Sequence, residues 1–382
     1  MPGTDPYAAN ARSSSEAEDD APYTVDTRKS PRRTGRRPAQ AAGAGYGARA
    51  PRTRPVKPRR RRRRLVLGTI ALLVLAWLAF MIWVPLNAWG KVQKVDATPN
   101  GSRPSASKGY DYVLVGSDSR QGLTAAQKKE LNTGSAEGKR TDSIMLVHVP
   151  ASGGKSAVIS LPRDSYVPIP GHSKNKINAA YSLGGPRLLV ETIEQVTGIR
   201  VDGYVEIGFG GFASVVDSLG GVDMCLPKAM KDSYANINLK AGCQTLNGPN
   251  ALGYVRARYS DPLGDLGRVK RQREFLGAVL HKAMQPSTVL VPWRYSAFAN
   301  AAGAGLLVDQ ETSMRDVVRV LQALRGVSNG DGVSLTVPLS STNLQTHVGS
   351  AVKWDSAKAL ELFKAIKEDQ PLTAPSPTSG AG

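Results

Sequence analysis

Several short segments of this chain bring acidic and basic side chains together in a pattern suited to phosphate chemistry. VGSDSR (115–120) supplies Asp118 and Arg120, GKRTDS (138–143) supplies Arg140 and Asp142, and SLPRDS (160–165) supplies Arg163 and Asp164. KNKINAAYSLGG (174–185) adds Lys174 and Lys176, with Asn178 and Tyr181 beyond them. The longest, LNGPNALGYVRARYSDPLGDLGRVKRQREF (246–275), carries Arg256, Arg258, Asp261, Asp265, Arg268, Arg271 and Gln272. A guanidinium fork matches two phosphate oxygens at once, and two carboxylates brought together can hold Mg²⁺ with water and phosphate oxygens. Any one segment alone reads equally well as solvated loop charge or surface ion pairs. The combination favours phosphoryl or pyrophosphoryl transfer over peptide or ester hydrolysis. His148, His172, His281 and His347 are scattered without metal-ligand spacing, and G-x-S-x-G, Walker A and H-E-x-x-H patterns are absent.

These residues need a scaffold, and the hydrophobic pattern supplies one. YDYVLVG (110–116), TDSIMLVHV (141–149) and KSAVISLP (155–162) read as strands, the last two joined by the tight turn Ala151–Gly154 into a hairpin. The first and third charged segments then sit just beyond strand ends, a common ligand position in α/β domains. Helices are expected at 125–130, 174–183, 186–197, 212–219, 248–255, 269–284, 314–324 and 354–368, and further strands at 201–209, 221–226 and 332–339. This alternation predicts an α/β domain with helices covering a sheet. Arg256 and Arg258 share a side only if the chain is extended there, whereas Arg268 and Gln272 share a helical face.

The domain is tethered. Residues 65–86, LVLGTIALLVLAWLAFMIWVPL, carry no charge and are long enough as a helix to cross a bilayer. Arg59–Arg64 precede them, and Trp83 and Trp89 suit the interfacial belt at the far end. The positive-inside rule puts the N-terminus in the cytoplasm and everything after Lys91 outside it. The unbroken apolar run exceeds the usual core of a cleaved signal and no small-x-small site follows closely, so a retained anchor is expected. Residues 1–64 hold 17 Lys+Arg against 6 Asp+Glu, more than half of the net charge of +19. Up to residue 58 they are poor in large apolar side chains, which predicts a disordered, basic cytoplasmic tail touching anionic lipid rather than nucleic acid. Cys225 and Cys243 fall on the outer side, where a disulfide persists, and without nearby histidines they do not suggest zinc.

The segments LVGSDSR (114–120), RTDSIMLVHV (140–149), ISLPRDSYVPIP (159–170), KINAAYSLGG (176–185), GGVDMCLP (220–227), LNGPNALGYVRAR (246–258) and GDLGRVKRQREF (264–275) together resemble the LytR-CpsA-Psr family, in order, over about residues 109–339. The resemblance implies an α-β-α domain with a central mixed sheet and an apolar lipid-binding groove, preceded by one transmembrane helix. It implies transfer of a glycopolymer (wall teichoic acid, capsule or arabinogalactan) from a polyprenyl-pyrophosphate carrier to peptidoglycan, with pyrophosphatase activity in some members. By position, Asp118 and Asp142 match magnesium-associated carboxylates. Arg120, Arg140, Arg163, Arg256, Arg258 and Arg268 match pyrophosphate-facing arginines. Asp265 matches the acid before the last of them, Gln272 lies in the same signature, and Lys176 matches the basic residue opening the KIN segment. Asp261 lies in a variable loop and need not share the role of Asp265. Asp142 and Asp265 are both candidates for the general base. The domain organisation expected is a tail at 1–64, a transmembrane helix at 65–89 and a linker at 90–108. The catalytic domain follows at 109–340, then a helical extension at 341–370 and a second tail at 371–382. A hydrolase of the same fold, and a non-catalytic lipid- or glycan-binding scaffold, are the competing functions.

Overall fold

The computed structural model describes residues 59–120, 123–131, 133, 140–257 and 264–372; the side chains of 59 and 264–270 are outside that description. The chain begins with α1 (Arg59–Trp89), continues into β1 (Gln93–Val95), β2 (Tyr110–Ser117) and α2 (Ala125–Glu130), and then forms β3 (Thr141–Val149) and β4 (Ala157–Leu161). β5 (Tyr166–Val167) and β6 (Asn175–Lys176) form a small ladder leading into α3 (Ile177–Thr197). β7 (Gly203–Ile207) and α4 (Phe209–Ser218) follow, then β8 (Val222–Leu226), β9 (Met230–Asp232), β10 (Ile237–Leu239), β11 (Gly242–Leu246) and α5 (Gly248–Arg256). The remainder is α6 (Gly264–Ala283), α7 (Pro286–Val289), α8 (Pro292–Gly305), β12 (Leu306–Asp309), α9 (Met314–Ser328), β13 (Val333–Thr336), β14 (Leu339–Thr346), β15 (Gly349–Trp354) and α10 (Ser356–Lys367).

Seven strands form one mixed sheet in the order β1-β12-β7-β2-β3-β4-β13. β2, β3 and β4 are antiparallel neighbours, while β7 and β13 pair in parallel with β2 and β4. Both faces are covered, so the central strands read as nearly continuous apolar runs. Val113, Val115, Ile144, Leu146, Ile159 and Leu161 pack with Leu189 and Ile193 of α3 and Phe363 and Ile366 of α10. Their alternates Tyr112, Met145, Val147 and Val158 face Leu280 of α6 and Val320, Ala323 and Leu324 of α9. Period-two alternation within each strand thus sorts the residues into two helix-covered layers.

The two helices expected at 174–183 and 186–197 are one element broken in the middle. Gly184 and Gly185 leave helical geometry, Gly185 with a φ of 68°, and Pro186 restarts the helix. The first begins at Ile177 because Asn175 and Lys176 pair with β5.

Two expectations need correction. The segment 90–108 is not a free linker. β1 joins the sheet edge beside β12, Ala97 is buried, and Arg103 donates to the Glu194 carboxylate and to the Val201 carbonyl. Glu194 also accepts from Val201 N–H, so this buried carboxylate is fully engaged. The segment from 341 does not begin as helix: β14 and β15 form a hairpin that is largely polar and exposed at its tip, while Leu339 and Trp354 pack on the core and Ala351 is buried, and helix starts only at Ser356, capped by Asp355. Cys225 and Cys243 sit opposite each other on β8 and β11 and are joined in a disulfide.

Candidate functional site

The hairpin register builds the first part of the site. Ile144 pairs with Leu161, the last partners of β3 and β4 on that side. Two residues further along each chain stand Asp142 and Arg163, and Arg163 Nη1 donates to Asp142 Oδ1 at 2.8 Å. Arg163 Nε lies 3.4 Å from Asp164 Oδ2, and Lys176 Nζ lies 3.1 Å from Asp164 Oδ1. Asp142, Arg163, Asp164 and Lys176 therefore form a ladder of alternating charge. The start of α3 closes on it, since Asn178 N–H donates to the Arg163 carbonyl and Ile177 N–H to the Ser165 carbonyl.

The β2 end supplies Asp118. Its N–H donates to the Arg140 carbonyl at 2.9 Å, and its Oδ1 accepts from Arg140 N–H at 2.6 Å. A register shift at the end of β2 and β3 makes this reciprocal pair possible. Burial pushes the Asp118 carboxyl above its ordinary range; the Arg140 N–H bond opposes that, the neighbouring Asp142 charge reinforces it, and Arg120 and Arg140 moderate it. Asp118 and Asp142 are thus close enough to repel. Arg120 Nε donates to the Thr133 carbonyl at 2.8 Å.

Behind these groups lies an apolar cavity of about 320 Å³ between the sheet and the helices α4, α5, α6, α8 and α9. Phe212, Leu252, Val255, Phe275 and Leu280 line it, and its polar lining, Ser117, Asp142, Ser143, Arg256 and Gln272, is gathered where β2 ends and β3 begins, which we take as its mouth. Arg256 stacks over Phe209, 4.6 Å from the ring centre, with Nη1 3.4 Å from the Leu131 carbonyl. Gln272 Oε1 accepts from Ser143 Oγ at 2.8 Å, and its Nε2 donates to the Val255 carbonyl at 3.2 Å. One glutamine therefore ties α6 to both β3 and α5.

Asp118, Arg120, Arg140, Asp142, Arg163, Arg256 and Gln272 are gathered at this end of the sheet. Lys176 joins only through Asp164. Arg258 and Asp261 lie outside the described residues. Asp265 and Arg268 fall in the first turns of α6, where only the backbone is described.

Several contributors do not stand out in the sequence. Arg271, buried, donates from Nη2 to the Ala257 carbonyl at 2.5 Å and so holds the end of the Arg256 segment. Under Ser117 and Asp118, buried Glu206 accepts from both Tyr181 Oη, at 2.8 Å, and Tyr204 Oη, at 2.6 Å. Burial raises the pKa of both phenols and the Glu206 charge adds to it, so both remain protonated donors. The only signal for this trio is a glutamate in the apolar strand GYVEI. Among the described residues there is no group of three or more His, Cys, Asp or Glu side chains fit to hold a metal unaided. The Asp118–Asp142 pair does fit a hard cation that takes one or two carboxylates and completes its shell with phosphate oxygens and water.

Fold and site together define a class: an α/β domain behind an apolar helix, with a greasy cavity that ends beside Asp142 and Arg256 and close to further carboxylates and guanidinium groups. The sequence profile of the LytR_cpsA_psr family matches residues 86–368, and the chain belongs to that family. It is 42% identical over 333 residues to the probable cell wall biosynthesis protein LcpB of Corynebacterium glutamicum, covering 87% of this chain and 77% of that one. Among solved structures, Bacillus subtilis TagV is similar with a TM-score of 0.53 and 26% identity, over 69% of this chain and 98% of TagV. A structure of TagT bound to LI-WTA is similar with a TM-score of 0.51 and 25% identity, over 72% of this chain and 98% of TagT.

Proposed function

We propose that this protein is a Mg²⁺-dependent phosphotransferase that moves a glycopolymer from a polyprenyl-pyrophosphate carrier onto a sugar hydroxyl of peptidoglycan, on the outer side of the cell membrane. The observation that carries the reading is the apolar cavity that ends at Asp142, Ser143, Arg256 and Gln272. A hydrocarbon tail fits its walls, and the charge at its mouth suits a pyrophosphate. Belonging to a family with a cell wall biosynthesis member, and resembling TagT, which binds LI-WTA, support the same substrate class.

In this reading the prenyl chain occupies the cavity and its pyrophosphate rests against Arg163, Arg256 and Arg120, with Arg140, Arg258, Arg268, Lys176 and Gln272 assigned to the same phosphate shell. An acceptor hydroxyl oxygen bonds to the glycan-side phosphorus. The bond from that phosphorus to the bridging oxygen breaks, leaving polyprenyl phosphate and a phosphodiester-linked polymer. The hydroxyl proton passes to a carboxylate, Asp142 or Asp265. Arg163 enters the site already aimed by Asp142, so little reorganisation is needed as charge builds on the leaving phosphate. Mg²⁺ held by Asp118 and Asp142 would neutralise phosphate oxygens in the same place.

Water in place of the sugar hydroxyl gives a pyrophosphatase with the same clamp. Labelled lipid-linked glycan, supplied with and without peptidoglycan, separates the two. Transfer predicts label in the peptidoglycan; release of the same amount of glycan phosphate regardless of acceptor would overturn it.

A further inference from the structure

The anchor helix and the outer domain are not loosely joined. Only residues 90–92 separate α1 from β1, which is paired into the sheet. Trp89 and Val92 pack with Val205, Val308 and Val317, and Lys91 Nζ donates to Asn300 Oδ1 at 2.8 Å. α8 lies directly against α1. Tyr295 Oη donates to the Met81 carbonyl at 3.2 Å. At Gly303 any β-carbon would collide with the Ala88 carbonyl, so glycine permits the contact. Seven residues on α1 match eight on α8, so the two helices run side by side in the same direction. Along α1, Val84 and Ala88 are buried by this packing, whereas Ile82, Trp83 and Leu86 stay exposed.

This register sets a depth. Met81 lies five residues inside the outer end of the apolar run at Leu86, which is about 7.5 Å along a helix. α8 begins still lower, at Pro292, with α7 just before it. If α1 spans a bilayer, this end of the domain cannot be above the bilayer. The surface there is suited to lipid: Trp293 is 74% exposed, Leu290 56% and Met284 46%. In water such a group of large apolar side chains is unfavourable. The nearby exposed cation, Arg294, has a stem long enough to bring its charge up to the headgroups.

We infer that α7 and the first turns of α8 are a second membrane contact, with Leu290, Trp293 and Met284 embedded in the acyl region of the leaflet on the domain's side, about 10 Å below the outer end of the α1 apolar run. The occupant of this surface is the bilayer itself. The same α8 turns Phe298 and Ala302 towards the cavity, and α6 brings Val279, Leu280 and Ala283 to it. One helix thus faces membrane lipid on one side and the cavity on the other. That places the cavity's inner end beside the leaflet from which an apolar chain would come. The inference rests on α1 crossing the membrane, not on the chemistry at the mouth.

The test uses the full chain in phosphatidylethanolamine–phosphatidylglycerol vesicles. Among the described residues no cysteine is free, and the sequence holds only the disulfide pair, so single substitutions give unique spin-label sites. Labels at Leu290→Cys and Trp293→Cys should be relaxed by oxygen and shielded from an aqueous nickel chelate, as at Leu78→Cys within α1. A label at Thr342→Cys on the β14 hairpin should show the reverse. Nickel access at 290 and 293 equal to that at 342 overturns the inference while leaving α1 in the membrane; nickel access at 78 as well overturns the anchor too. A label-free measurement covers any variant that fails to fold. The chain has five tryptophans, and brominated acyl chains quench those in lipid. Trp293→Phe should lower the quenchable fraction of the fluorescence; a rise would mean that Trp293 sits in water.

Discussion

Asp142 and Arg163 stand two residues beyond the last paired positions of β3 and β4, and their side chains meet at 2.8 Å. The hairpin register brings their backbones into line, and the start of α3, whose Asn178 N–H donates to the Arg163 carbonyl, holds the turn that carries Arg163. Both side chains keep about a fifth to a quarter of their surface exposed, which limits the ion pair to about 1 kcal/mol of stability. Its value is in orientation. Arg163→Ala should leave the thermal unfolding midpoint within a few degrees of wild type and lower the transfer rate by about a hundredfold or more, as loss of one preorganised donor does elsewhere. Steady-state transfer kinetics with a parallel melting curve checks both halves.

Filling the cavity should separate tail binding from head binding. Leu276 and Val279 of α6 line it away from the mouth. Val279→Trp should abolish binding of a long prenyl pyrophosphate, while inorganic pyrophosphate still protects the mouth arginines from a guanidine-selective reagent. Titration of both ligands against the variant gives the comparison.

Asp118 has a carboxyl pKa raised by burial and by the charge of Asp142. Its deprotonated form is the one that could hold a cation, so Mg²⁺ affinity should fall on acidification at a pH above the usual carboxylate value of about 4. Asp118→Asn should remove that limb together with most Mg²⁺ stimulation. Isothermal titration of Mg²⁺ in the presence of pyrophosphate, across pH, provides the measurement.

His148 makes a second pH signature, remote from the site. Its Nδ1 lies 2.9 Å from Asp111 Oδ1 and its Nε2 3.1 Å from Asp369 Oδ1, tying β3 to β2 and to the end of α10. Burial works to discharge the ring, but hydrogen bonds to and charges of Asp111 and Asp369 outweigh it, so its pKa is raised. A raised pKa means the folded state holds the proton more tightly. The contribution is fully present below the ordinary histidine value near 6.5 and is lost as pH rises through the folded-state value. Stability to urea should therefore fall with rising alkalinity above neutrality, and His148→Gln should flatten that slope. A denaturation series at fixed ionic strength reads this directly.

Arg103 and Glu194 form the buried clamp that fixes the segment after the anchor. Arg103→Ala leaves a buried carboxylate without its main partner and should cost about 3 kcal/mol of unfolding free energy. Glu194→Gln with Arg103→Met should recover part of it. Chemical denaturation of the two variants compares them.

The legible parts of the fold are those with a strong period. β3 and β4 carry short, nearly continuous apolar stretches, IMLV and AVI, because both faces are buried, and α9 shows a clear amphipathic stripe. β1 and β12 have only three and four residues, and their pairing depends on backbone bonds that leave no pattern. α8, PWRYSAFANAAGAG, hides its helical period because small residues stand where it packs: they let Gly305 approach Gly211 of α4 and Gly303 approach Ala88 of α1. β14, LSSTNLQT, is mostly polar and β15 buries only Ala351 fully, so neither carries the alternation that marks a strand. Asp118, Arg140, Asp142 and Arg163 could be placed from strand ends alone. The Ser143–Gln272 bond spans 129 residues of sequence, and the stacking of Arg256 on Phe209 joins separate helices, so both needed the tertiary arrangement.

The central claim is that one molecule places its tail in the cavity and its pyrophosphate at Asp142, Arg163 and Arg256. A prenyl pyrophosphate with a photoreactive diazirine on its chain measures this most directly, by mass spectrometry of the crosslinked peptides. The account predicts labels on α5 and α6, at residues such as Val255, Phe275 and Leu280, suppressed by Arg163→Ala with Arg256→Ala. Labels confined to α1 or to the outer surface of the domain, unchanged in that double variant, would contradict it.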